Sequence, residues 1–293
     1  RWERPIKETT TLELAYREPW IVGYPLDSEG RLYIEQRPGY ASEEIRLFTG
    51  GELWSDFSVG GRVGREIVRS DSIVLLGGPR FRGWLISGEI EYDSRDDAVN
   101  PTGGVHYRFT WETSFRRNRI YDIDFVNRYG ADGWPETERT STAQVVLRHF
   151  VRLSSIGRND RFVFAAEWHG AQTTSNGART LAAADQIRVG GVTTVRGYYE
   201  EHFTGDLAAW GRHEIRYHLA SASRTFLFVD AGAIRSRYRD AQRNIVETTA
   251  WPVGYGFGLR ARTAAGVLGI DFGWGRGDDF GRGKVHVRLE TMF

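Results

Sequence analysis

The chain has 293 residues, a formal net charge of +1 from Lys+Arg 39 against Asp+Glu 38, and no cysteine. Near-neutrality argues against a nucleic-acid binder; the lack of cysteine rules out disulfides, thiolate nucleophiles and Cys-based metal sites and favours an oxidising, extracytoplasmic compartment. A mean hydropathy of -0.45, with no apolar run near the roughly 18 residues of a spanning helix, leaves any membrane crossing to strands.

The chain opens on Arg1-Trp2-Glu3-Arg4-Pro5, which is not a signal peptide, so an exported protein is expected in its mature form. Residues 1–28 read as an N-terminal segment partly outside the wall or as an extra strand, since Leu12, Leu14 and Tyr16 alternate. The remainder, 29–293, reads as one domain. Candidate strands follow near 29–37, 43–50, 57–68, 80–93, 104–115, 141–153, 159–170, 207–220, 225–234, 252–262, 266–275 and 284–293. The fifth shows what kind of strand these are. Between Val105 and Phe115 the odd positions are Val105, Tyr107, Phe109, Trp111, Thr113 and Phe115, while the even ones are His106, Arg108, Thr110, Glu112 and Ser114. One face is greasy and the other charged, the period-two signature of a strand.

A soluble sandwich also alternates, but Trp84, Tyr92, Trp168, Tyr255 and Trp274 fall near the ends of the apolar stripes, where the two interfacial girdles of a transmembrane barrel lie. The fold expected is therefore an all-β, transmembrane antiparallel β-barrel of about twelve strands, with fourteen or sixteen open. Tyr121, Ile123 and Phe125 continue the odd-face pattern and keep the larger counts in play. Short connections alternate with long ones, which places the long loops outside the cell.

Residues 171–206 form the longest connection and carry Val195-Arg196-Gly197-Tyr198. Strand parity turns Arg212, Glu214, Arg216 and His218 to the lumen, and with them Asp230. An inward acid needs a partner. A loop folded into the lumen brings Arg196 to Asp230 and Glu214, which one planar guanidinium can share. Gly254, Gly256, Gly258 and Gly273 strip two inner walls of side chains and read as the bed for that loop. Arg-Gly-Tyr alone is an ordinary turn, and Asp93 to Asp97 reads as a solvated turn rather than a calcium site. The seven histidines show no metal-ligand spacing, and no nucleophile elbow, Walker loop or paired catalytic carboxylates occur, so no enzyme activity, cofactor or metal is expected.

In order and spacing these fragments resemble a superfamily, the barrels of outer-membrane assembly factors and two-partner secretion transporters of the BamA, TamA and FhaC type. The resemblance rests on Val189-Gly190-Gly191, Val195-Arg196-Gly197-Tyr198, Phe203-x-Gly205-Asp206, Glu214-x-Arg216 and Phe228-Val229-Asp230-Ala231-Gly232. It extends to Tyr16-Arg17-Glu18-Pro19-Trp20 and to Tyr92-Asp93-Ser94-Arg95-Asp96 with Pro101-x-Gly103. It implies an integral protein of the bacterial outer membrane that inserts or exports polypeptides through a weak seam between first and last strands. In such a barrel Arg196, Gly197, Tyr198, Glu214 and Asp230 lock the loop. Val285, Val287, Leu289 and terminal Phe293 resemble the signal by which assembly machinery recognises a client.

The partners implied are outer-membrane lipid and lipopolysaccharide, unfolded outer-membrane protein clients or a periplasmic partner, and a second copy docked through the seam. Family members carry periplasmic polypeptide-transport-associated domains before the barrel; here the Tyr-x-x-Pro-Trp fragment begins at Tyr16, so a short member without those domains is expected. The alternative is a passive channel, a lipid-handling protein or a structural barrel that has lost insertase activity.

Overall fold

The computed structural model describes residues 2–3, 9–20, 23–24, 26–70, 80–119, 135–153, 161–177, 180–220, 223–240, 242, 244–264 and 266–290. The strands are β1 (Trp2–Glu3), β2 (Thr10–Glu18), β3 (Asp27–Arg37), β4 (Tyr40–Trp54), β5 (Phe57–Ser70), β6 (Arg80–Asp93), β7 (Gly104–Arg119), β8 (Thr137–Arg152) and β9 (Phe162–Ser175). After them come β10 (Ile187–Val189), β11 (Phe203–Gly205), β12 (Leu207–Ala220), β13 (Ser223–Arg239), β14 (Ile245–Ala250), β15 (Val253–Thr263), β16 (Gly266–Gly275) and β17 (Lys284–Glu290).

All but β10 and β11 join one antiparallel sheet in which sequence neighbours pair, from β1 at one end to β17 at the other. β13 pairs with β15 along its first half and with β14 along its second, so β14 and β15 are one wall strand interrupted at Trp251-Pro252. Among the described residues fourteen wall strands result, one of the counts the sequence leaves open and two more than the twelve it favours. The added pair is β1 and β2; β2 runs a full ladder along β3 from Thr10↔Gln36 to Glu18↔Ser28. Tyr121, Ile123, Phe125 and Phe293 lie outside the described residues.

Polarity is inverted relative to a soluble protein. The buried side chains include Glu66, Arg116, Glu214, Arg216, Asp230, Arg260 and Asp271, while Leu227 is 64% exposed, Val287 65% and Trp84 66%. Only a sheet whose outer face meets hydrocarbon and whose inner face encloses polar space makes both halves of that arrangement favourable. Among the described residues no helix is long and apolar enough to cross a membrane. The end of β9 and the start of β12, which residues 176–206 join, lie at one end of the wall together with the end of β7 and the start of β8, and the turn 55–56 lies at the other, which sets the extracellular and periplasmic ends respectively.

Candidate functional site

The connection from β9 to β12 folds inward rather than out. Its short β10–β11 hairpin is registered Ile187↔Gly205 to Val189↔Phe203, and Val189 and Val195 pack on Ala208 of β12 and Ile234 of β13. From there the segment reaches walls on both sides of the lumen. Asp185 accepts from Arg116 of β7 at 2.6 Å, Arg188 donates to the Tyr40 hydroxyl of β4 at 2.6 Å, and Glu201 accepts a fork from Arg37 of β3. Tyr198 donates to the Val253 carbonyl of β15, and Glu200 lies 3.8 Å from His286 of β17. A segment touching β3, β4, β7, β15 and β17 at once lies inside the curved sheet.

Arg196 is fully buried. Its Nε and Nη2 each donate to Asp230 at 2.8 Å, its backbone amide donates to the same carboxylate at 3.0 Å, and Nη1 donates to Glu214 at 2.6 Å. Arg216 donates to the other Glu214 oxygen at 2.8 Å. Two cations thus face two anions with no net charge left in the dry space, the condition under which burying them is tolerable. Burial alone would lower the pKa of Arg196; the charges of Glu214 and Asp230 outweigh it and hold the guanidinium above its ordinary value.

The Phe228 ring lies 3.7 Å from the Arg196 guanidinium carbon, and the Phe226 ring sits between Arg196 at 5.5 Å and Arg260 at 5.0 Å, within cation–π range. Arg260 then clamps Asp271 with contacts of 2.5 and 2.8 Å. The buried network therefore runs from β12 to β16, and three of its members, Phe226, Arg260 and Asp271, carry no motif that names them.

The glycines divide the work between loop and wall. A Cβ on Gly254 would meet the Arg196 carbonyl oxygen at 1.8 Å, and one on Gly273 the Gly197 amide nitrogen at 2.8 Å, so these two form the bed. Gly256 and Gly258 instead make room for the Phe228 and Phe226 rings and for Asp271. Gly197 holds φ at +89° with its α-carbon against the Trp274 backbone, a position that a side chain would block. The Tyr198 hydroxyl accepts from the Arg276 amide at 3.2 Å as well as donating to Val253, pinning the loop where β15 begins and β16 ends.

At the periplasmic end the turn 94–103 is internally hydrogen-bonded, with Asp96 and Asp97 exposed as expected of a solvated turn. Asp96 accepts from the Thr102 and Gly103 amides, Asp97 from the Val99 and Asn100 amides, and Arg152 of β8 reaches Thr102 at 2.8 Å. Buried Asn100 meets His218 of β12 at 3.0 Å and accepts from Arg224 of β13 at 2.8 Å. Nearby, Glu91, Asp93 and His106 come within 4.8 Å of one another. Arg108, Arg95 and Arg148 each occupy one of them, at 2.8, 2.5 and 2.9 Å. Each of the three thus already has a guanidinium partner. Between loop and turn remains a cavity of about 690 Å³ whose walls carry crossed pairs such as Arg46–Glu112 and Arg62–Glu89.

Residues 66–289 match the Omp85 superfamily domain. The chain belongs to the Omp85 superfamily. Its fold is similar to that of BamA from Haemophilus ducreyi lacking POTRA domains 1-3, with a TM-score of 0.67 at 13% identity over 96% of this chain and 61% of that one. It is also similar to CdiB from Escherichia coli, with a TM-score of 0.56 at 15% identity over 97% of this chain and 51% of that one. The chain thus spans little more than half the length of the structures it matches. No curated protein sequence matches it. As an Omp85 barrel it is an integral outer-membrane protein, and the inverted polarity of its wall is the consequence. Val285, Val287 and Leu289 of β17 point outward, 58%, 65% and 53% exposed, on a strand described over seven residues beside the ten of β16.

Proposed function

We propose that this Omp85 barrel assists insertion or export of outer-membrane polypeptides through the seam between β17 and its first strands, with the inward loop holding the seam in register. The observation that carries the reading is the position of two adjacent loop residues. Glu200 faces His286 on β17 and Glu201 grips Arg37 on β3, so the loop that Arg196 locks to β12 and β13 also spans the two sides of the seam. Among the described residues β17 contributes seven residues of ladder, and a short edge pairs weakly. A seam weak in backbone pairing but tied by side chains is one that a client strand can open without unfolding the wall.

The test is acceleration of folding. Purified protein in liposomes is scored for faster folding of an unfolded model barrel, with Arg196→Ala as the comparison. Acceleration lost in the variant supports the reading; no acceleration by the wild type overturns it. A passive pore would conduct steadily, whereas a lumen filled from outside by residues 180–206 and floored by residues 94–103 conducts only when the loop is released.

A further inference from the structure

Outside the lumen, the extracellular ends of β5 to β8 carry a feature that the loop lock does not use. Arg65 on β5, Arg82 on β6, Arg117 on β7 and Arg139 on β8 are exposed on the same outward face as Val63, Ile86, Trp84 and Phe115. The register aligns them in two rows: Arg65, Trp84, Phe115 and Arg139 lie side by side, and Arg82 stands opposite Arg117 one step further out. An open cleft of about 690 Å³ is lined by these four arginines with Trp84 and Phe115.

Three observations identify what fills it. Trp84 and Phe115 end the apolar stripes of their strands, so the arginines begin where hydrocarbon gives way to outer-leaflet headgroups; successive outward residues rise by about 7 Å along a strand. Arg82 directly opposite Arg117 is a like-charge cross-strand pair, which weakens a sheet unless an anion lies between. Finally, the described residues neutralise little of this charge. Arg117 has the exposed Glu136 at 3.1 Å, but among the described residues no carboxylate lies within ion-pair distance of Arg65, Arg82 or Arg139. Elsewhere at this end of the barrel Asp206 and Glu247 neutralise outward Arg235 and Arg237.

We infer that this arc is a binding site for a membrane lipid whose headgroup carries phosphate, held by the guanidinium forks of Arg65, Arg82, Arg117 and Arg139 with its acyl chains against Trp84 and Phe115. Planar guanidinium pairs a phosphate bidentately. The cleft opens onto the bilayer, which fixes the occupant as lipid rather than a free anion. The site is independent of insertase activity, and its test reads lipid alone.

Wild type and Arg65→Gln/Arg82→Gln/Arg139→Gln are compared in detergent by native mass spectrometry, counting adducts of short-chain phosphatidic acid, of the matching phosphatidylcholine, and of phosphatidic acid challenged with inorganic phosphate. The wild type is expected to prefer phosphatidic acid by roughly tenfold or more, and the folded triple variant to lose that preference. Equal retention of the two lipids by the wild type, an unchanged preference in the variant, or displacement of the lipid by equimolar inorganic phosphate each overturns the inference. If the triple variant fails to show heat-modifiable migration, Arg82→Gln alone replaces it, with a severalfold weakening expected and none refuting the site.

Discussion

Replacing Asp230 by alanine removes the acceptor of three hydrogen bonds from one residue, the Arg196 Nε, Nη2 and backbone amide. Both side chains are fully buried, so water cannot substitute for the carboxylate without the loop moving. Breaking a buried pair by deleting one partner costs about 3–5 kcal/mol, because the remaining charge is left uncompensated. Here Glu214 still contacts Arg196 but already serves Arg216, leaving two cations on one anion. The expected outcome is release of the loop before loss of the wall. Residues 180–206 become sensitive to protease at concentrations that leave the wild type intact, and the urea midpoint of the loop-protected state falls. Arg196→Ala should do the same, and the double variant should cost less than the two singles summed, with a coupling of about 1–3 kcal/mol. Unchanged loop proteolysis together with an unchanged midpoint in Asp230→Ala would falsify the lock.

Gly254→Ala places a Cβ on the Arg196 carbonyl, a backbone atom that cannot swing aside, so it is expected to expel the loop as Asp230→Ala does; Gly88→Ala, with nothing within 4 Å, should leave loop protection unchanged, and equal behaviour of the two would sink the bed. Glu201→Gln weakens the fork to Arg37 and should cost about 1–2 kcal/mol, read as longer open events in planar bilayers; conductance identical to wild type would remove the seam tie. For Asp96, burial works against the charge, but the Thr102 hydroxyl and the Thr102 and Gly103 amides prevail and hold its pKa below the ordinary 3.8. A depressed folded pKa means a contribution present above that value and lost as pH falls through the folded one. Turn 94–103 should therefore loosen only below about pH 4, seen as faster hydrogen exchange of the Thr102 and Gly103 amides. Asp96→Asn should be loose at neutral pH and indifferent to acid; an acid response equal to wild type would show that another group titrates.

The parts of this site that the sequence announces are those whose geometry is local. Asp230 sits in an alternating strand, so its inward aim follows from counting by two from Leu227 and Val229, and Arg196 follows from a loop long enough to return. Alternation reports which face a residue is on but not which inward residues share a level, since that depends on strand tilt and ladder offsets accumulated around the sheet. Arg37 and Glu201 are therefore unconnected in sequence yet joined in space, and the same holds for Arg260–Asp271 and for Asn100 with Arg224. Gly256 and Gly258 show the same limit: parity places them inward beside Gly254, while only the register of Phe226 and Phe228 against them decides that rings and not the loop fill the space.

Strand ends were obscured for a different reason, and it bears on the arginine arc. The apolar stripe of β7 stops at Phe115, but its ladder to β6 continues through Arg117↔Arg82 to Arg119↔Arg80. β8 likewise starts at Thr137, ahead of its first aliphatic outward residue. Periodicity ends where hydrocarbon ends, whereas hydrogen bonding ends where the strand does, and the stretch between them belongs to the headgroups. An outward residue there is free to be charged without cost to insertion, so the sequence reads as loop what the sheet keeps as wall. The four arginines stand in that stretch on rigid paired strands, with Arg82 facing Arg117 at a fixed spacing. A mobile loop could spread such charges apart; paired strands cannot. Among the described residues only the exposed Glu136 meets that charge, and the face the arginines occupy is the one turned to the membrane.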